Sequence, residues 1–169
     1  MGKSQEHYLR KYGSAKITSG LFVYEEFDLI TALNGQTYCF RLESGLIGLG
    51  FAVSDRKGTI VGIVREGQYF GDEVLTPGHG RRLHDAVALT DTVVTRVSLD
   101  EKVREHLLVS SLTRRNHLEQ LYSRSKLSDR MEYLHTMLGE EKIPNYRMTQ
   151  ILGASREWIS KVRTKQHEV

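Results

Sequence analysis

The sequence predicts an α+β fold, with a β jelly roll in the first half and helices in the second. Three observations lead there. Short apolar or alternating segments recur between glycine-rich turns up to Ser98, then a long stretch from Leu99 to Gly139 has no proline and only its last residue as glycine. A short apolar-periodic segment around Gly153 follows. Regularly spaced short strands with turn signals indicate a closed or two-sheet β architecture, and an uninterrupted run without breakers indicates a helix.

The strands are read at residues 20–24, 37–42, 46–53, 59–64 and 93–98. Asn34-Gly35, Glu43-Ser44-Gly45, the segment 55–58 and Glu66-Gly67 separate them, each able to make a tight turn or take positive φ. The segment 55–58 between two apolar runs is the clearest hairpin.

The long helix begins where Asp100 and Glu101 place acids at its N-terminus, as the helix dipole favours. Leu107, Leu118 and Leu121 keep a coiled-coil-like spacing, while Ser111, Arg114 and Ser125 fill the intervening seam positions. The reading is a helix packed partly on the roll and partly on a partner, with Leu107, Ser111, Arg114, Leu118 and Leu121 as the dimerisation seam. A break near 123–128 separates it from a second helix that ends at Leu138, where Gly139 is a natural stop.

Beyond Pro144, the residues Met148, Leu152, Ala154, Ile159 and Val162 keep helical spacing around Gly153-Ala154-Ser155. Glycine permits a sharp turn and Ser155 can cap the following helix, which is the arithmetic of a helix-turn-helix. An ordinary helical hairpin satisfies the same pattern. The resulting division is a roll over 1–98, a long helix over 99–126 and a helix-turn-helix over 127–169.

Composition sets limits on function. With 39% hydrophobic and 27% charged residues, the chain reads as globular. No apolar run approaches the roughly 20 residues of a membrane helix, and the first residues lack a signal-peptide core, so a cytoplasmic location is expected. Cys39 is the only cysteine, which excludes an internal disulfide and a four-thiolate iron–sulfur cluster. It reads as a small buried hydrophobe in a strand rather than a redox switch.

The charge is uneven. Residues 142–169 hold six Lys/Arg against Glu157 and Glu168, a surplus of four, in a chain of net charge +3. The first 141 residues are therefore close to neutral. A neutral body with a basic end fits nucleic-acid binding, and a solvated helix face fits the same numbers.

Taken in order, these segments resemble the CRP/FNR superfamily of transcription regulators, the catabolite-activator-like proteins. Glu43-Ser44-Gly45-Leu46-Ile47 resembles the glycine turn between barrel strands. The segment 67–75, Gly67-Gln68-Tyr69-Phe70-Gly71-Asp72-Glu73-Val74-Leu75, resembles the "G-D-x-F-G-E" phosphate-binding cassette, and 86–92 with Val97-Ser98 resembles the last barrel strands. The sharpest similarity lies at 150–162, where Gly153-Ala154-Ser155-Arg156-Glu157 and Ser160-Lys161 follow a signature close to "x-I-G-x-S-R-E-x-V-S-R-x-L".

The resemblance implies a homodimeric regulator, not an enzyme, that binds double-stranded DNA and works with RNA polymerase. Arg156, Glu157 and Lys161 would reach base edges, an arginine fork matching guanine and a glutamate accepting from the cytosine amine. Ser155, Ser160, Arg163 and Lys165 would hold phosphates. Alternatively, Glu157 pairs with Lys161 one turn on. Trp158 is expected to pack on the preceding helices, the other option being a large contact surface.

In the family a β-hairpin wing follows the recognition helix, whereas this sequence stops at Val169. Thr149 stands where the motif prefers alanine or glycine.

For the sensor, the resemblance assigns Gly71, Asp72, Arg82 and Leu83 to an effector pocket. Asp72 replaces the glutamate that contacts ribose, and Leu83 replaces the serine beside the phosphate-holding arginine. Cyclic nucleotide binding is thereby weakened, and the effector stays open.

Two other readings compete with a regulator. A cupin-type metal enzyme would draw on Gly71, Pro77, His79 and His84, but no histidine occurs between His7 and His79 to complete a metal site. The other is a wingless interaction or ligand-binding protein that acts on another regulator.

Overall fold

The structure, a computed structural model, describes residues 16–18, 21–26, 28–30, 39–53, 57–75, 84–139 and 143–167. Eight strands lie among them: β1 Lys16–Thr18, β2 Leu21–Tyr24, β3 Cys39–Ser44, β4 Ile47–Phe51, β5 Thr59–Val64, β6 Tyr69–Phe70, β7 Asp85–Ala88 and β8 Thr92–Val97. A 3-10 turn, Asp72–Leu75, follows β6. Four helices follow: α1 Glu101–Tyr122, α2 Leu127–Leu138, α3 Asn145–Leu152 and α4 Arg156–His167. The fold is the α+β architecture that the sequence predicts.

The strands form two antiparallel sheets, one ordered β1-β2-β8-β3-β6 and one ordered β5-β4-β7. Gly45 turns β3 into β4 at φ +88°, and a Cβ there would lie 2.3 Å from the Asp91 carbonyl oxygen, so only glycine fits. Between the sheets, Tyr24, Phe40, Leu42, Ile47, Phe70 and Val94 form an inner core, with the rings of Phe40 and Phe70 stacked at 5.2 Å.

The three-stranded sheet is covered on both faces. Register slips between Leu49 and Gly50 where β4 pairs with β5. A one-residue slip exchanges the two faces of a strand, so Val64 joins the inner core while Ile60 joins a second core on the helical side.

That second core unites the roll with every helix. Leu46, Val53, Ile60, Val87 and Leu89 from the roll meet Leu121 of α1, Met131 and Leu134 of α2, Met148 and Ile151 of α3, and Ile159 of α4. Fully burying one such side chain contributes about 1.5–3 kcal/mol. Lifting the C-terminal helices off the sheet would expose Val53, Ile60, Met148 and Ile151 together, on the order of 6 kcal/mol or more. The C-terminal helices therefore share the body of the protein and do not hang from it on a linker.

The helix ends follow their local chemistry. Asp100 caps α1, its Oδ1 accepting from the Val103 amide at 2.7 Å. The break between α1 and α2 spans 123–126, and Gly139 ends α2 at φ +65° with its amide bonded to the His135 carbonyl. Both features stand where the sequence places them.

Candidate nucleic-acid interface and sensor region

Pro144 opens α3, its carbonyl accepting from the amides of Arg147 and Met148. Gly153 ends that helix in the left-handed region at φ +62°, where a β-carbon is unfavourable. Ser155 then caps α4, its Oγ accepting from the Trp158 amide at 3.3 Å. Met148, Ile151, Leu152 and Ile159 are buried and lock the two helices together. Thr149 is half-buried, and its hydroxyl donates to the Tyr146 carbonyl of its own helix, which satisfies the polar group inside the packed turn.

With Ile159 turned inward, Ser155, Arg156, Glu157, Ser160 and Lys161 are all exposed. Arg156, Glu157, Ser160 and Lys161 share one open concave surface along α4, with Ser155 at its leading end. Glu157 and Lys161 form no ion pair among the described residues, so both heads face solvent. Arg163 and Lys165 belong to α4 by backbone, but their side chains lie outside the described residues.

Three placements were not legible in the sequence. Trp158 does not pack on the preceding helices: it is 62% exposed, because the inward position beside it is taken by the smaller Ile159 at 0%. Arg147, one of the basic-end cations, is buried, donating from Nη1 to the Val53 carbonyl at 2.6 Å and to Gln150 Oε1 at 2.7 Å. It serves the roll contact and not the surface. Lys57 on the β4–β5 hairpin lines a groove with Gly153, Ser155 and Arg156, so the roll itself borders the turn.

Of the five seam residues on α1, Leu107, Arg114 and Leu121 are buried inside the chain, and Ser111 and Leu118 are half-buried. The apolar side chains that this helix leaves more than half exposed are Leu108, Val109 and Leu112. The outward stripe thus lies one residue along from the expected one. The inward positions are occupied by α1 packing along β5 and β6 of its own roll.

Gly71 stands at φ +89° between β6 and the 3-10 turn. The Asp72 side chain and all of Arg82 and Leu83 lie outside the described residues. The strand leading into this segment is held by α1: the Tyr69 amide donates to Ser110 Oγ at 3.0 Å, and Arg114 Nη1 donates to the Tyr69 carbonyl at 2.7 Å. His106 stacks on the Tyr69 ring at 5.0 Å and 7°. Three side chains at successive turns of one helix grip a single residue.

Two further contacts tie the helices together. The Tyr122 hydroxyl donates to the Ile151 carbonyl at 2.8 Å, and burial raises the phenol pKa against the lowering influence of Arg130. His117 Nδ1 lies 2.8 Å from the Tyr133 hydroxyl, and burial, then the nearby Arg65 charge, lowers its pKa from 6.5. Cys39 is buried. Among the described residues, no group of three or more His, Cys, Asp or Glu could hold a metal ion, and no helix is long and apolar enough to cross a membrane.

Comparison with known proteins places these features. Residues 23–104 match the family described as cyclic nucleotide-binding domain. No curated protein sequence matches the chain. Among solved structures, a CRP-family transcriptional regulator of Thermus thermophilus is similar at 18% identity and TM-score 0.70, covering 86% of this chain and 84% of its own. FixK2 of Bradyrhizobium japonicum is similar at 18% identity and TM-score 0.67, covering 90% and 86%. The c-di-GMP responsive regulator CLP of Xanthomonas campestris is similar at 14% identity and TM-score 0.67, covering 98% and 91%. Residues 23–104 thus resemble the cyclic nucleotide-binding domain family, and the chain as a whole shares the fold of these CRP/FNR regulators.

Proposed function

We propose that the chain is a dimeric transcription regulator of the CRP/FNR type that reads double-stranded DNA with α4 under control of the roll. One observation carries the reading: a buried Ile159 anchors α4 while Arg156, Glu157, Ser160 and Lys161 stand exposed on its open surface. A recognition helix needs this combination, since its inner side must be immobile for its outer side to meet base edges in register. Arg156, Glu157 and Lys161 supply base contacts, and Ser155, Ser160 and the α4 residues beyond them supply phosphate contacts.

In this reading Leu108, Val109 and Leu112 form the subunit contact between two α1 helices. Two recognition helices then enter successive major grooves, about 34 Å apart. Because α3 and α4 share a core with their own roll, reorienting the two heads means rotating one subunit against the other along α1. A ligand held near Gly71 acts on that helix through Tyr69, Ser110 and Arg114. The similar Xanthomonas regulator is c-di-GMP responsive, so cyclic mono- and dinucleotides are the ligands to titrate first.

The deciding experiment selects duplexes from a random pool at two salt concentrations. The expected result is an enriched inverted repeat, bound less tightly at high salt and lost on Arg156→Ala. Binding indifferent to Arg156, or no enrichment, would leave the reading as a protein-interaction module, whose apolar contacts would show little salt dependence.

A further inference from the structure

Trp158 is the most exposed large apolar side chain among the described residues, and the fold gives it no packing role. The inner side of α4 is defined by Ile159, fully buried, and Val162, half-buried. The indole instead lies on the same open surface as Arg156, Glu157, Ser160 and Lys161. A cationic surplus from Arg156 and Lys161 over Glu157 brings this surface to a polyanion. An indole has no charge to offer a phosphate. What it offers is a large flat apolar face. In a major groove, the apolar feature that distinguishes one base edge from another is the C5 methyl of thymine.

We propose that Trp158 is a specificity-determining residue that packs its indole against thymine methyl groups, beside the bases met by Arg156 and Glu157. The inference rests on the reading of α4 as a DNA-recognition helix and adds the base class at one or two positions of each half-site. Arginine and glutamate discriminate through hydrogen bonds, whereas Trp158 discriminates through burial of a methyl group.

The test uses the full chain and the duplex enriched from the random pool, made once with thymine and once with deoxyuridine throughout, which removes only the C5 methyls. Wild-type protein should bind the deoxyuridine duplex about three- to fivefold more weakly for each methyl covered. Trp158→Ala should bind the thymine duplex more weakly than wild type and treat the two duplexes alike. Because Trp158 is exposed, that variant should melt within about 2 °C of wild type. Any effect of deoxyuridine on duplex flexibility acts on both proteins equally and drops out of their comparison.

Equal wild-type affinity for both duplexes, with Arg156→Ala still abolishing binding, would overturn the inference and leave the DNA reading intact. Discrimination retained in full by Trp158→Ala would assign the methyl to another residue and overturn it too. A pool from which nothing is enriched would remove the DNA reading itself, and this inference with it.

Discussion

Arg147 and Arg156 stand on consecutive helices, and the fold uses them in opposite ways. Arg147, on α3, is buried and commits its guanidinium to the Val53 carbonyl and Gln150, fastening the helix pair to the roll. Arg156, on the first turn of α4, is exposed. The neighbours Trp158 and Ile159 repeat the division, with the bulkier side chain outward and the smaller one inward. Helix α3 with the inner edge of α4 is structural, and the outer edge of α4 is the working surface. What separates them is direction: a residue turned toward the β5 sheet acquires packing partners, and one turned away acquires none.

The comparison can be broken by substitutions on either side of that line. Ile159→Ala should have the largest effect, about 2–4 kcal/mol lost from unfolding free energy measured in urea, because it leaves a cavity in the shared core. A loss below about 1 kcal/mol would show that α4 is not anchored there. Arg147→Met keeps much of the length and removes the hydrogen bonds, and should cost about 2–3 kcal/mol. That corresponds to a fall of about 4–12 °C in Tm. Arg156→Ala, by contrast, should leave Tm nearly unchanged while DNA binding is lost. A variant at Arg156 that melted as early as Arg147→Met would erase the distinction.

The smallest expected effect comes from pH. Burial, with Arg65 beside it, lowers the folded-state pKa of His117 from 6.5, so the unfolded chain takes up the proton more readily. The group therefore contributes stability at and above that pH, which is lost as pH falls through the lower folded value. Tm should decline below pH 6.5, and His117→Gln should flatten the decline. An unchanged slope in the variant would move the effect to other groups.

Much of the fold was legible because it depends on local chemistry. Glycine turns, the acids at the start of α1, the break after Tyr122, the Gly139 stop and the Gly153-Ala154-Ser155 corner all follow from preferences that act over a few residues. The short strands β1, β6 and β7 were not marked from their own residues. Two to four residues carry too little periodicity, and β6 is held by Ser110 and Arg114 from a distant helix. In the candidate interface, Ser155 to Lys161 could be named from the motif.

The facing of the side chains was less legible. On α1 a hydrophobic spacing indicates that a helix has an apolar side, yet Leu107, Leu118 and Leu121 satisfy it as well as Leu108, Val109 and Leu112 satisfy its neighbour. Only the sheet lying against α1 distinguishes the stripe kept for the chain from the stripe left outside.

The amino-acid sequence by itself determined where this chain turns, where its helices start and stop, and that its last two helices meet at a tight glycine corner. Those outcomes depend on backbone conformations and on hydrogen bonds between near neighbours. The tertiary structure alone decided that Arg147 is a tether, that Trp158 is exposed, that Lys57 borders the turn and that roll and helices share one core. Each of these depends on which distant surface a side chain meets, because burial is a property of the packed whole and not of any local segment.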